Sequence, residues 1–245
     1  MKNILVTGGS GKAGRATIKL LLKKNYNVFN VDFVNNSDLG VPFTRVDLED
    51  FGDAMEVVSE IDDRINGIDA VIHQAAIPAS GLEANHKTFK ANTLSTYNIF
   101  QASKVMKINN IVWASSETVL GLPFDTYPPY VPVDEEYDPR PESSYSLSKV
   151  IGEEMARQYC RRNPEMKIFG LRYSNIMEEN DYNQFKSFQN DPFLRKWNFW
   201  GYIDARDVAQ ACVLAMESNL KGADNFIIAA DDTVMEEDNK SLLDK

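Results

Sequence analysis

The run Thr7-Gly8-Gly9-Ser10-Gly11-Lys12-Ala13-Gly14 constrains the fold more than any other part of the chain. Glycines fall at 8, 11 and 14, between an apolar run from Lys2 to Thr7 and a stretch whose Ile18, Leu20, Leu21 and Leu22 recur with helical period. The pattern predicts a strand, a tight turn and a helix. A turn with glycines so placed can bring backbone N–H groups, those of Gly8, Gly11, Lys12, Ala13 and Gly14 among them, against a pyrophosphate at the helix N-terminus, where the dipole favours negative charge. Glycine turns of this kind also serve tight packing alone. Asp32, 18 residues beyond Gly14, ends the second predicted strand, Asn27 to Val31. A carboxylate there accepts from both ribose hydroxyls of an adenosine and repels a 2′-phosphate, which points to NAD rather than NADP. The plainer alternative is a turn aspartate leading into Asn35-Asn36-Ser37.

Further strands are expected at Phe43 to Val46, Asp69 to His73, Asn110 to Ala114, Lys167 to Leu171 and Asn225 to Ala229, with helices at about 83–107, 143–162 and 205–218. The last helix would be capped by Asp204 or Asp207. Strand alternating with helix implies an α/β fold with a parallel, doubly wound sheet. Residues 122–141 hold most of the prolines and read as an extended loop, 177–200 as an insertion, and the acidic tail from Asp231 to Lys245 as a segment that frays. The 36 acidic against 26 basic residues give a net charge of −10, which disfavours nucleic acid as a partner. No apolar stretch is long enough to cross a membrane and no export signal follows Met1, so a cytoplasmic protein is expected. Cys160 and Cys212 read as reduced core thiols, and no spacing suggests a metal site.

The remaining motifs fall at predicted strand ends, the edge where open α/β sheets bind ligands. Asp47-Leu48 is placed to reach an adenine amino group. Ala75 and Ala76, after His73-Gln74, are small enough to let the backbone approach the middle of a dinucleotide, and His73 itself reads as a buried structural histidine. Tyr145 and Lys149 share one helix face at i, i+4. A nearby ammonium in a dry cleft can lower a phenol toward neutrality and make it a general base. Ser116, in Trp113-Ala114-Ser115-Ser116, can hydrogen-bond the reacting oxygen beside it, although each of these residues alone is commonplace on an ordinary fold.

In order and spacing from residue 3 to about 230 the chain resembles the extended short-chain dehydrogenases/reductases of the NAD-dependent epimerase/dehydratase family. The resemblance rests on Thr7 to Gly14, Asp32, Asp47-Leu48, His73 to Ala76, Asn92 to Thr96 with Ser95 in place of glycine, and Ser115 to Gly121 with Leu120 in place of tyrosine. It continues through Tyr145 to Lys149, Leu171 to Asn175 and Tyr202 to Ala209. It implies a Rossmann-like fold, NAD as cofactor, a catalytic Ser116, Tyr145 and Lys149, and Asn92 near the cofactor, with Lys149 also holding the nicotinamide ribose. It implies a homodimer through the helices at about 83–107 and 143–162.

For the substrate, Ser116, Arg172, Asn175 and Arg195 are the expected contacts, with Arg172, Arg195 and Lys196 able to form a cradle for a diphosphate. One arginine could instead clamp a sugar acid, as the resemblance to uronate dehydrogenases suggests. Residues 1–171, rejoined by 198–230, are expected to form the NAD-binding domain. Residues 172–197 and 231–245 would form a small substrate region, complete or truncated. The expected activity is NAD-dependent oxidation of a sugar, sugar-acid or nucleotide-sugar hydroxyl. The alternatives are a nucleotide-sugar 4-epimerase or dehydratase that retains its NAD, and a non-catalytic NAD-binding regulator.

Overall fold

The computed structural model describes residues 1–35, 37–59 and 67–244. Asn36, in the turn expected after Asp32, and Lys245 lie outside them. Seven parallel strands form the central sheet: β1 (Asn3–Thr7), β2 (Asn27–Asp32), β3 (Phe43–Arg45), β4 (Ala70–His73), β5 (Asn110–Ser116), β6 (Lys167–Tyr173) and β9 (Gly222–Ile228). Their spatial order is β3-β2-β1-β4-β5-β6-β9, so the direction of winding reverses between β1 and β4 and opens a crevice at the carboxyl edge. The Rossmann-like, doubly wound α/β fold expected from the sequence is the one observed.

Helices cover both faces. On one face α1 (Lys12–Lys23) packs on α6 (Ala205–Glu217), with Ile4, Val6, Ile18, Leu21 and Val213 among the buried core. On the other, α2 (Phe51–Ser59) lies on α3 (Asn85–Val105), and α3 on α4 (Ser144–Arg162), over Leu5, Val71, Phe100, Ile111 and Trp113. Cys160 and Cys212 are free and buried, one in each core. Of the two caps proposed for α6, Asp204 is the one used: its Oδ1 accepts from the Arg206 N–H at 2.7 Å. At the other end of α6, Lys167 Nζ donates to the carbonyls of Ala215, Met216 and Ser218 at 2.7–2.9 Å, which satisfies oxygens the helix cannot bond itself.

Beyond β6 the chain leaves the sheet. β7 (Ile176–Met177) pairs in parallel with β8 (Ile203–Asp204), and between them run short 3-10 turns and the single-turn α5 (Phe185–Phe188). The tail does not fray as its acidity suggested. It forms α7 (Asn239–Leu243), capped by Asp238, and buries Val234, Met235 and Leu242 against Trp200, Phe185 and Phe188. Three apolar side chains among the acids pin a segment whose average composition is that of a loop. Residues 176–204 are also tied to α1, by Arg15 Nη2 to both oxygens of Glu178 at 2.7 and 2.8 Å and by Lys12 Nζ to Asp181 at 2.5 Å.

Candidate active site

A cleft of about 960 Å³ runs along the carboxyl edge of the sheet. At its dinucleotide end, Gly8 has φ of +69°, and an added Cβ would lie 2.5 Å from the Ala75 backbone nitrogen, so no side chain fits. Gly14 is packed just as closely, on Gly8 O at 2.3 Å. Gly11 is different. Its φ is −75° and a Cβ would meet only Gly8 O at 3.5 Å, so the protein's own packing does not demand glycine there. A phosphate lying over the turn would. No side chain caps α1, so its first N–H groups open on the cleft, the donor set an anion needs. Asp32 lines the same end, with its carboxylate oriented by the Ser10 N–H at 3.0 Å and the Phe33 N–H at 2.7 Å. Asp47, Leu48, Ala75, Ala76 and Asn92 also line it. The Asn92 side chain is spent on the backbone: it accepts from Ile77 N at 2.8 Å and donates to Ile77 O at 3.1 Å, fixing the loop after β4. These residues fit a dinucleotide.

At the other end, the fold delivers Ser116, Tyr145 and Lys149 to one place. A capping box between Ser143 and Ser146 starts α4, which sets Tyr145 in its first turn. Gly152 lets the helix lie directly on Trp113, where a Cβ would stand 2.5 Å from the indole, and so brings Lys149 over the end of β5. Lys149 Nζ donates to Ala114 O at 2.8 Å and sits 5.6 Å from the centre of the Tyr145 ring. The Ser116 hydroxyl stands beside Tyr145, and its Oγ accepts from Thr118 N at 3.2 Å. Burial pushes Tyr145 up to about 12, opposed by Ser116 and reinforced by the charge of Glu117, and it brings Lys149 down to about 8. In this state the phenol keeps its proton, ready as an acid. To serve as a base it must be lowered by added positive charge.

The structure does not bring every expected contact to the cleft. Arg172 is 4% exposed on β6, with Nε and Nη2 each 2.9 Å from the Glu153 carboxylate, which also accepts from Ser115 Oγ at 2.6 Å. Strand alternation explains the placement: Tyr173 faces the cleft, and Arg172 faces α4. Arg195 is 6% exposed, donates to Gly201 O at 2.8 Å and packs between Phe188 and Trp197. It holds the turn that returns the chain to β8. Lys12 lines the cleft, but its ammonium is engaged by Asp181. Asn175 does line the cleft, as expected. Leu120, in place of the family tyrosine, is buried with Val119, Leu122 and Phe124 beneath the proline-rich loop. His73 is buried and neutral as foreseen, its Nδ1 2.7 Å from Thr7 Oγ1, with its pKa lowered to about 3 by burial and by the Lys149 charge.

Sequence reasoning missed Glu117, Ser174 and Trp197, which line the reaction end. Glu117 stood inside the quoted Ser115 to Gly121 motif, and its acid chemistry was the signal available there. Burial raises the Glu117 carboxyl to about 7, against Ser174, Asn198, Arg195 and the Asn175 backbone, which favour its ionised form.

The NAD-dependent epimerase/dehydratase family matches residues 4–229, and the chain belongs to it. It is similar to a putative UDP-glucose 4-epimerase of Methanocaldococcus jannaschii, 32% identical over 191 residues that cover 74% of this chain and 56% of that protein. It is also similar to a bifunctional UDP-glucose and UDP-xylose 4-epimerase of Arabidopsis thaliana, 31% identical over 71% of this chain and 52% of that one. The chain therefore spans about half the length of these relatives. Among solved structures, the UDP-Glc/GlcNAc 4-epimerase of Campylobacter jejuni shares the fold over 100% of this chain and 82% of its own, with a TM-score of 0.77 and 20% identity. A mutated uronate dehydrogenase shares it over 98% and 78%, with a TM-score of 0.73 and 22% identity. NAD is the cofactor of the family. No helix among the described residues is long and apolar enough to cross a membrane.

Proposed function

We propose that this chain carries NAD-dependent oxidation and re-reduction of a sugar hydroxyl, with a nucleotide sugar as substrate and an epimer as product. The observation that carries the reading is the convergence of Ser116, Tyr145 and Lys149 at the far end of the cleft that begins at the Gly8 turn. When bound, NAD supplies the hydride acceptor. Ser116 orients the reacting oxygen, Tyr145 takes its proton and later returns it, and Lys149 holds the charge that makes the exchange possible. Asp32 reads the adenosine ribose, and Gly8, Gly11, Lys12, Ala13 and Gly14 present the turn to the pyrophosphate. Net oxidation was the favoured sequence expectation. The similarity to 4-epimerases at 31–32% identity supports the epimerase reading over it.

The deciding experiment incubates the protein with UDP-glucose and sub-stoichiometric NAD. An epimer with no accumulation of NADH absorbance supports the reading. NADH formed in proportion to product makes the chain a dehydrogenase, and no turnover of any sugar leaves a non-catalytic NAD-binding protein. A cytoplasmic homodimer is part of the same proposal: Tyr97 on α3 and Leu147 on α4 are large and exposed, and sedimentation as a monomer would exclude their pairing.

A further inference from the structure

The charged groups lining the cleft among the described residues are divided by position. Asp32, Asp47 and Glu49 stand at the dinucleotide end with Lys12, whereas the reaction end holds Glu117 and Lys149. Lys149 Nζ is turned to Ala114 O. Arg172 is locked to Glu153, and Arg195 balances Glu117 from behind the wall without lining the cleft. A substrate carboxylate at this end would therefore meet an acid and find no guanidinium fork, the group that recognises carboxylates best. A hydroxyl would find an acceptor. A carboxylate offers about four acceptor positions. Asn198 Nδ2 donates to Glu117 Oε1 at 3.3 Å, which leaves acceptor positions of the carboxylate open to a ligand in the cleft.

We propose that Glu117 is a specificity-determining residue: its carboxyl accepts a hydroxyl of an uncharged sugar ring held beside Tyr145 and turns away a sugar acid in the same place. The proposal rests on the sugar-oxidation reading above and replaces the expectation that an arginine clamps a uronate. Burial brings the Glu117 carboxyl up to about 7, with Tyr145, Arg195, Asn198, Ser174 and Asn175 facing it, so its charge changes across the neutral range.

The test uses Tyr145→Phe protein saturated with NAD⁺, which binds without turning over, and two probes that differ only in CH₂OH against carboxylate at C6, UDP-glucose and UDP-glucuronate. Calorimetric titration at pH 8.5 is expected to give UDP-glucose at least tenfold the affinity of UDP-glucuronate. Adding Glu117→Gln should reduce that ratio to threefold or less by raising the affinity for the acid. In protein with Glu117 intact the ratio should also shrink as pH falls to 5.5, where UDP-glucuronate remains anionic and Glu117 does not; this arm needs no substitution at Glu117. Equal affinities at pH 8.5, preference for the acid, binding of neither probe, or a ratio indifferent to both Glu117→Gln and pH would each overturn the proposal. Retained turnover in Tyr145→Phe would instead overturn the oxidation reading and leave the binding ratio to stand.

Discussion

The two ends of the cleft are built differently. The end proposed for the dinucleotide offers backbone, with the open N–H groups of α1, a glycine that packing does not require and an acid held by two N–H donors. The end proposed for the reaction presents side chains whose properties depend on burial and on neighbours distant in sequence. The first kind of site is read from local spacing. The second is specified by how strands and helices pack, so a motif there names the residues without fixing what they touch.

Removing the reacting oxygen sharpens that contrast most. Tyr145→Phe leaves a ring that packs as before, so turnover should fall by about 10³-fold or more while NAD affinity stays within a few-fold. Steady-state rates with UDP-glucose and an NAD titration on the same sample check this. Loss of both together would show that the two ends are not separable.

His73 lies beneath the cleft, buried and neutral, and gives a prediction about the frame itself. Its folded pKa, about 3, is below the unfolded value of ~6.5, so its contribution to stability is complete above pH 6.5 and is lost as pH falls toward 3. Over that window the unfolded chain takes up a proton the folded chain refuses, which costs about 1.4 kcal/mol per pH unit. Urea titrations from pH 7 to 4.5 should show His73→Asn losing less stability than the unsubstituted protein by roughly 2–3 kcal/mol. Parallel acid profiles would mean that His73 is protonated in the fold.

Legibility followed the same division. Gly8, Asp32 and Ala75 were read from spacing, because a strand, a turn and a helix place their neighbours within a few residues. Tyr145 and Lys149 were read from one helical turn. Arg172 was misjudged: its motif is correct, but only the partner on α4, Glu153, decides which face of β6 it serves. Arg195 failed for a similar reason, since Phe188, Trp197 and Gly201 form its surroundings only after the insertion folds back. Glu117 carries an acid within its motif, but the burial that raises its carboxyl and its partner Asn198 come from segments distant in sequence. The tail shows the limit of composition, as Leu242 is fully buried within an acidic segment.

Cofactor choice tests the legible end at smaller scale. If Asp32 reads the ribose, NAD should be preferred over NADP by at least tenfold, about 1.4 kcal/mol, and Asp32→Ser should erode that preference. Equal affinity of the unsubstituted protein for both would show that the two N–H bonds to Asp32 are its whole purpose.

The smallest effect is expected at Lys12, the residue of the glycine turn that is tied to the segment after β7. Its motif position suggested a phosphate contact, yet its ammonium bonds Asp181 in the segment that follows β7. The side chain is 43% exposed, and exposed ion pairs contribute about 0–1 kcal/mol because water screens them. If Lys12 serves the pyrophosphate through its backbone alone, Lys12→Ala should weaken NAD by no more than about fivefold, the effect of 1 kcal/mol. Asp181→Asn frees the ammonium without removing it, so it distinguishes the two roles. A lysine released to reach the phosphates would tighten NAD, and a lysine that only fastens the insertion to α1 would leave NAD affinity unchanged while KM for the sugar rises. Weakening of NAD by tenfold or more in Lys12→Ala would return the side chain to the cofactor and make its pairing with Asp181 a contact that the dinucleotide displaces.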